Sequence, residues 1–504
     1  MRNELDQLRS RMAEITDLRN TAHLLEWDQQ TMMPPRGGAS RAESIATLER
    51  IRHDMFVSAE TGRLLDAAAG ELDGADSASD DAALVRVVRR RWDKARRVPT
   101  ELAAEIARAG SIGQEAWVRA RANNDFDAFA PYLTRNLELA RRYVDCFDTF
   151  DCPYDVLLDD FDPGMATADV TRLFDELKAA LVPVIGEVAQ HADRVDDGPL
   201  HGTFPVERQR QLVFEVVERM GFDRAGWRID DAVHPFATGL GSQDVRITTR
   251  WDEHFFASAL FSAMHECGHG LYEAGIDSSL QRTPLGSGES LSVHESQSRM
   301  WENMVGRGRA FSGVLAPRIA ELFGGSVADL DATSLYRAVN RVEPSHIRVE
   351  ADEATYGLHI VLRFELEQEM IEGRLPVAEV PEAWDARFKE YFGLEVPDPA
   401  HGALQDVHWS AGLIGYFPTY ALGNLIAGQL WEKAHADMPD LEAAIGAGEL
   451  SGLREWLREN VHRHGAKFST PELLQRVVGH PIEVAPFVRY LRAKLSDVYE
   501  LDLP

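Results

Sequence analysis

Apolar residues near the start of the chain recur in steps of three and four: Leu5, Leu8, Met12, Ile15, Leu18, Ala22 and Leu25. Such steps line one face of a helix, so the segment is predicted to be a long amphipathic helix. Met33-Pro34-Pro35-Arg36-Gly37-Gly38 ends it, because proline lacks the amide donor and glycine favours turns. Helical spacing resumes over 40–69. Residues 71–81 are acidic and small, and read as an exposed loop. Residues 82–122 are helical and arginine-rich, punctuated at Pro99, and 126–147, 167–191 and 205–220 are further helices. The period then changes. Trp227-Arg228-Ile229-Asp230 and Val245-Arg246-Ile247-Thr248-Thr249 alternate apolar with polar and carry β-branched residues. With His234-Pro235-Phe236 and Gly239-Leu240-Gly241 between them, they predict two or three short strands. Helical spacing returns from Trp251 and pauses at Gly324-Gly325, 393–400 and 446–448. No repeat, low-complexity stretch or linker divides the chain. The pattern predicts one large, mostly α-helical domain over 1–504, with two lobes about a groove and a small β-sheet beside it. The edge of that sheet could accept an extended peptide as an added strand.

Composition narrows the function. The chain has 504 residues, 44% hydrophobic, with a formal net charge of −29 and only six lysines. An overall field of that sign does not attract nucleic acid or an anionic membrane surface. Cys146, Cys152 and Cys267 are too few for a disulfide framework. The charged, amphipathic N-terminus is not a secretion signal, and no run of 18 apolar residues predicts a membrane span. The cytoplasm is the expected compartment.

The richest stretch is Ala263-Met264-His265-Glu266-Cys267-Gly268-His269-Gly270, which reads H-E-x-x-H within an apolar helical run. His265 and His269, four apart, share a helix face and can each point one ring nitrogen at a single Zn²⁺, roughly 2.0–2.1 Å away. Glu266 cannot easily be a third ligand but can take a proton from an attacking water. Cys267, two residues past His265, faces away. Taken alone the motif is short, and two half-buried, hydrogen-bonded histidines are the other reading of it. Zinc needs a further ligand. The next carboxylate in a distinctive setting is Glu295, in Val293-His294-Glu295-Ser296-Gln297-Ser298. The intervening 273–290 is rich in glycine, serine and proline and can return the chain, so that a second helix over 289–305 faces the first.

Further along, Ile347-Arg348-Val349-Glu350-Ala351-Asp352 opens a predicted helix that runs to about Glu372. Arg348 has the paired donors that match a carboxylate, although a surface pairing with Glu350 or Asp352 would use the same side chain. Gln405-Asp406-Val407-His408-Trp409 gathers polar groups around a histidine, as a site or a capping cluster would. Tyr416 and Tyr420 follow, as core residues or as phenols able to steady an oxyanion.

In their order along the chain these pieces resemble the carboxypeptidase Taq family of zinc metallocarboxypeptidases. The matching signatures are HPF at His234 to Phe236, DxRxT at Asp244 to Thr248, HExxH at His265 to His269, HESQ at His294 to Gln297, IRxxAD at Ile347 to Asp352 and GxxQDxHW at Gly402 to Trp409. Leu24-Leu25-Glu26-Trp27-Asp28 with Thr31-Met32-Met33-Pro34 also looks like the family's opening, so the likeness spans essentially the whole chain. It implies a neurolysin-like helical fold with a deep central groove, a homodimer, and release of single C-terminal residues from peptides with broad side-chain tolerance. It implies one Zn²⁺ per chain, or Co²⁺ or another divalent ion, on His265, His269 and Glu295, with Glu266 as general base. Arg348 would meet the substrate carboxylate, and His234, Asp244, Arg246, His408 and Tyr420 would shape the groove or assist the oxyanion. The expected partners are peptides with a free C-terminus, with no nucleic acid and no membrane. An endo-acting oligopeptidase on the same fold is one rival. A peptide-binding protein with a structural zinc is another; the intact Glu266 argues against it, since a structural site usually closes with four protein ligands.

Overall fold

The structure is a computed structural model describing residues 3–288 and 290–503. The N-terminal pattern forms helix α1, Glu4–Thr31, capped by Asn3, whose side chain accepts the Asp6 amide at 2.8 Å. The 40–69 run is two helices, α2 (Gly38–Val57) and α3 (Ala59–Glu71). Extended backbone at Ser58 breaks it, and the Ser58 hydroxyl accepts the Thr61 amide as an N-cap. Then come α4 (Asp80–Arg97), α5 (Thr100–Ala122), α6 (Phe126–Val144), α7 (Pro153–Leu158), α8 (Thr167–Ala189) and α9 (Val206–Met220). Helix α7 is under two turns long, too short for its period to show in the sequence.

Three strands follow: β1 (Trp227–Asp231), β2 (Ala237–Gly241) and β3 (Asp244–Thr249). Central β3 runs parallel to β1, with Trp227 opposite Val245, and antiparallel to β2, with Ala237 opposite Ile247. Val245 and Ile247 are fully buried. Helix α1 lies against the sheet. Trp27 sits under the guanidinium groups of Arg228 and Arg246, at 4.7 and 4.4 Å from its ring. The Asn20 amide donates to the Leu240 carbonyl at 2.9 Å, so α1 already takes one carbonyl of outer strand β2.

The second half is helical: α10 (Phe256–Gly275), α11 (Leu291–Arg299), α12 (Arg309–Phe323), α13 (Ala332–Ala338), α14 (Glu353–Ile371), α15 (Val380–Phe392), α16 (Pro418–Asp437), α17 (Leu441–Gly446), α18 (Ser451–Asn460), α19 (Thr470–Val477) and α20 (Ala485–Tyr499). The predicted helix over 289–305 is shorter at both ends. Its first residue, Glu289, lies outside the described residues. Ser290 caps α11 by accepting the Val293 amide, and after Arg299 the winding changes to a π-turn, Met300–Gly306. Arg348 does not open a helix, contrary to the sequence pattern. It lies in a 3-10 turn, Arg348–Glu350, and α14 begins only at Glu353, because the Asp352 carboxylate caps it by accepting the amides of Ala354 and Thr355.

The described residues form two hydrophobic clusters. The larger holds the sheet and most of α5–α20. The smaller joins α1, α3 and α4 through Leu8, Met12, Leu65, Leu84, Val88 and Trp92, and includes Ile276, Leu280 and Leu285 from the connection between α10 and α11. Two glycines decide how closely the central helices approach. A Cβ on Gly268 of α10 would lie 2.8 Å from the Ser298 Cα, and one on Gly423 of α16 would lie 2.7 Å from both Cβ and Cγ of Glu295. A larger residue at either position would force a shift, and α11 is thereby clasped between α10 and α16. Among the described residues no helix is long and apolar enough to cross a membrane.

Candidate active site

Helix α10 carries His265, Glu266 and His269 on adjoining turns, and α11 brings Glu295 across from them. The Glu295 Oε2 atom stands 3.7 Å from the His265 Nε2 and 3.5 Å from the His269 Nε2. One donor atom from each of the three lies within 4.8 Å of the others, a set able to hold one ion. Cys267 is not among them. It is buried, close enough to Arg454 for that charge to act on its thiol.

The atoms behind the ligands settle which ring nitrogens are free. His265 Nδ1 meets Glu302 Oε2 at 2.9 Å, and a carboxylate can only accept, so His265 carries its proton on Nδ1. On the other side, His294 Nε2 meets Glu273 Oε1 at 2.8 Å and so donates to it. His294 Nδ1 is then the acceptor for the Nδ1–H of His269, 2.8 Å away. With each Nδ1 donating backward, the two candidate histidines can each turn a bare Nε2 lone pair toward Glu295, as coordination would require. The donors fit a divalent ion with borderline-soft tastes, two neutral imidazoles and one carboxylate, with room left in the coordination shell.

The protein groups alone set the charge states. Burial would raise the Glu295 carboxyl, but Arg299, whose Nε donates to it at 2.7 Å, holds it well below the usual range. Glu302, also buried, is held down at about 2 by His265 and Arg299. Among the described residues no donor reaches the Glu266 carboxyl, and burial pushes it up to about 7.

A second cluster surrounds Arg348, buried at 5% exposure. Its Nε and Nη2 donate to Asp406 Oδ1 at 3.1 and 2.8 Å, and its Nη1 donates to the Tyr356 hydroxyl at 2.9 Å. Arg363 lies deeper and donates to the other Asp406 oxygen at 2.7 Å. Neither Glu350 nor Asp352, the neighbours in sequence, is the partner of Arg348. Tyr420 packs on the guanidinium, 5.1 Å from its ring centre, and its hydroxyl lies 3.5 Å from the His408 Nε2. Burial lowers His408 to about 4, so at neutral pH it is an uncharged imidazole. The two clusters share a wall: Tyr356 lies under Arg299, at 4.3 Å, and Arg299 holds Glu295.

The remaining sequence candidates stand apart. Asp244 and Arg246 pair with each other at 2.9 and 3.0 Å, and Arg246 covers Trp27, so they brace β3 against α1. His234 is exposed in the turn between β1 and β2. The sequence reading missed Glu302, Glu273, Arg299, Asp406, Tyr356 and Arg363 as parts of the site. His294 and Asp406 lay inside quoted motifs and could have been picked out. Glu302, in the π-turn, lies seven residues past Glu295, a same-face step in helical spacing, and could also have been picked out.

The model of the carboxypeptidase Taq (M32) metallopeptidase family matches residues 7–495. The chain belongs to this family. Curated relatives include thermostable carboxypeptidase 1 of Thermus thermophilus, 40% identical over 96% of this chain and 97% of that protein. Carboxypeptidase 1 of Bacillus subtilis is 36% identical over 95% of each. Among solved structures, the M32 carboxypeptidase of Deinococcus radiodurans superposes with a TM-score of 0.95 at 40% identity, covering 99% of this chain and all of that one. The helical M32 fold with its small sheet is thus shared along the whole chain, and with it the metallocarboxypeptidase activity of the family.

Proposed function

We propose that the protein removes single C-terminal residues from peptides with broad side-chain tolerance. One divalent ion per chain, Zn²⁺ or alternatively Co²⁺ or another divalent metal, would be held by His265, His269 and Glu295. The observation that carries the reading is the convergence of two bare Nε2 atoms on the Glu295 carboxylate, with each Nδ1 anchored from behind. When bound, the ion polarises the scissile carbonyl and acidifies water. Glu266 takes the proton of the attacking water and hands it to the leaving amine. Glu302 and the Glu273–His294 relay keep the ligand rings oriented. His408 and Tyr420, beside Arg348, are placed to donate to the developing oxyanion. Arg348 receives the free α-carboxylate, a charge too costly to bury without a cation. His234, Asp244 and Arg246 shape the groove near the sheet. The chain acts as one domain of two lobes, a reading the two hydrophobic clusters support, and works as a homodimer. Three free cysteines suit the reducing cytoplasm.

Two substitutions test the assignment. Glu266→Gln should keep the ion while turnover falls at least ~10²-fold, the low end for loss of a general base. Glu295→Gln should weaken ion binding first. Loss of the ion in Glu266→Gln, or full activity after chelation, would overturn the ligand set.

A further inference from the structure

Arg348 reaches its place by contacts that leave part of its guanidinium unused. Of its five N–H groups, Asp406 takes those on Nε and one on Nη2, and Tyr356 takes one on Nη1. Among the described residues, one N–H on each terminal nitrogen is left unclaimed. The rings of Tyr420 and Phe417, centred 5.1 and 5.6 Å from the guanidinium carbon, limit where the group can swing. Charge tells the same story. Arg348 and Arg363 face a single Asp406, so the three groups are one negative charge short of neutral. Arg363 is wholly buried; its Nε donates to Asp406, its Nη1 to the His359 carbonyl, and its Nη2 has only an ion-pair contact with the same Asp406 oxygen. Its near neighbour Glu367 is pushed up to about 7 by burial and is only partly ionised at neutral pH. The trio keeps one net positive charge, and Arg348 is its more exposed guanidinium.

We infer that Asp406 and Tyr356 are positioning residues for C-terminal recognition: together they clamp Arg348 so that its two unclaimed N–H groups form a fixed receptor for the peptide's terminal carboxylate. Arg363 anchors Asp406 from below and supplies the second positive charge that keeps Asp406 ionised. The inference rests on the reading that Arg348 meets that carboxylate. It adds that preorganisation, not charge alone, sets the preference for a free acid. An arginine that had to find its rotamer on binding would lose part of its grip to ordering.

The test uses matched peptides ending in a free acid or an amide and the metal-loaded full chain. The readout is the ratio of kcat/KM for acid over amide, with KM and kcat resolved. Tyr356→Phe keeps the ring and the packing on Arg299 and removes one hydrogen bond to a charge. It should lower the ratio about tenfold through KM for the acid, with kcat little changed. In an Arg348→Ala background the same change should have no further effect on the ratio. Asp406→Asn alone would leave two guanidiniums facing each other and endanger folding. The charge-balanced pair Asp406→Asn with Arg363→Met removes that hazard and should also lower the ratio. A wild-type ratio in Tyr356→Phe, or an equal drop with and without Arg348, would overturn the clamp. A wild-type ratio in Arg348→Ala would instead overturn the carboxylate assignment beneath it.

Discussion

Replacing Gly423 by alanine tests how the metal ligands are held, without touching any of them. The added Cβ would lie 2.7 Å from Cβ and Cγ of Glu295, where ordinary contact starts at 3.4 Å, so something must move by about 0.7 Å. Helix α11 cannot easily yield as a whole. Its start is tied down where the Ser290 hydroxyl bonds Asp162, which also accepts from Thr470 at 2.9 Å. Gly268 presses on its other side. Because the Glu295 Cβ moves only with its backbone, the strain falls on Glu295 itself, backbone and carboxylate together. Overpacking costs about 1–3 kcal/mol, and alanine regains about 1 kcal/mol over glycine in a helix, so the fold should survive with a lowering of Tm of a few degrees at most. The site should not be spared, because metal–ligand distances tolerate only ~0.2 Å. Ion affinity should drop roughly 10–100-fold, the range seen when support behind a ligand is lost. Competition against a chelator measures it, and thermal melts followed by circular dichroism report the fold. Gly186→Ala is the control. Gly186 lies within α8 with nothing within 4 Å of a built Cβ, so it should leave affinity alone and stabilise by about 0.5–1 kcal/mol. Wild-type ion affinity in Gly423→Ala would refute the reasoning, as would an equal loss in the control.

Other outcomes follow from single contacts. Glu302→Gln removes the charge that accepts from His265 Nδ1, and should weaken ion binding roughly 10–100-fold in the same competition assay; it also removes the partner charge of Arg299 and Arg307, so Tm should fall as well. Burial lowers buried His462 from 6.5 to about 3, so the unfolded chain protonates first as pH falls. Its contribution is thus complete above about pH 6.5 and is lost toward pH 3, at no more than about 1.4 kcal/mol per pH unit; urea midpoints at pH 7 and 5 should converge in His462→Gln relative to wild type. The proposed homodimer should give a light-scattering mass near twice the 56.3 kDa of the chain, and a single-chain mass at working concentration would remove it.

Much of this site was legible because its chemistry is local. His265 and His269 are one helical turn apart, and Glu295 follows after a loop whose glycines and prolines announce a reversal. The α1 face was equally plain: Leu5, Leu8, Met12, Ile15 and Ala22 are all buried. What stayed hidden depends on contacts across the chain or on a change of helix winding. Asp406 is 58 residues from Arg348, and no periodicity links them. The sequence offered Glu350 and Asp352 instead, but Asp352 is spent on capping α14. Glu302 follows Glu295 at a same-face spacing of seven, but its partner His265 is 37 residues away, and the backbone of 300–306 is wound as a π-turn, with the Arg307 amide reaching back five residues to the Glu302 carbonyl. Ser58 split an apparently continuous helix by capping locally, a choice that hydrophobic spacing does not record. Asp244 and Arg246 carried a family signature, yet they brace a strand and hold no contact with the metal ligands among the described residues.

The central claim is that metal-dependent hydrolysis here begins at a free C-terminus held by Arg348. Mass spectrometry of a mixed peptide pool, each sequence present as both free acid and C-terminal amide, addresses it in one experiment. After incubation with the metal-loaded protein, free acids should shorten one residue at a time from the C-terminus, across many terminal side chains, while their amidated twins persist. Arg348→Ala should narrow the gap by roughly one to two decades, as expected for a charged hydrogen bond. Internal fragments, or equal consumption of acids and amides by the unmodified protein, would contradict the account.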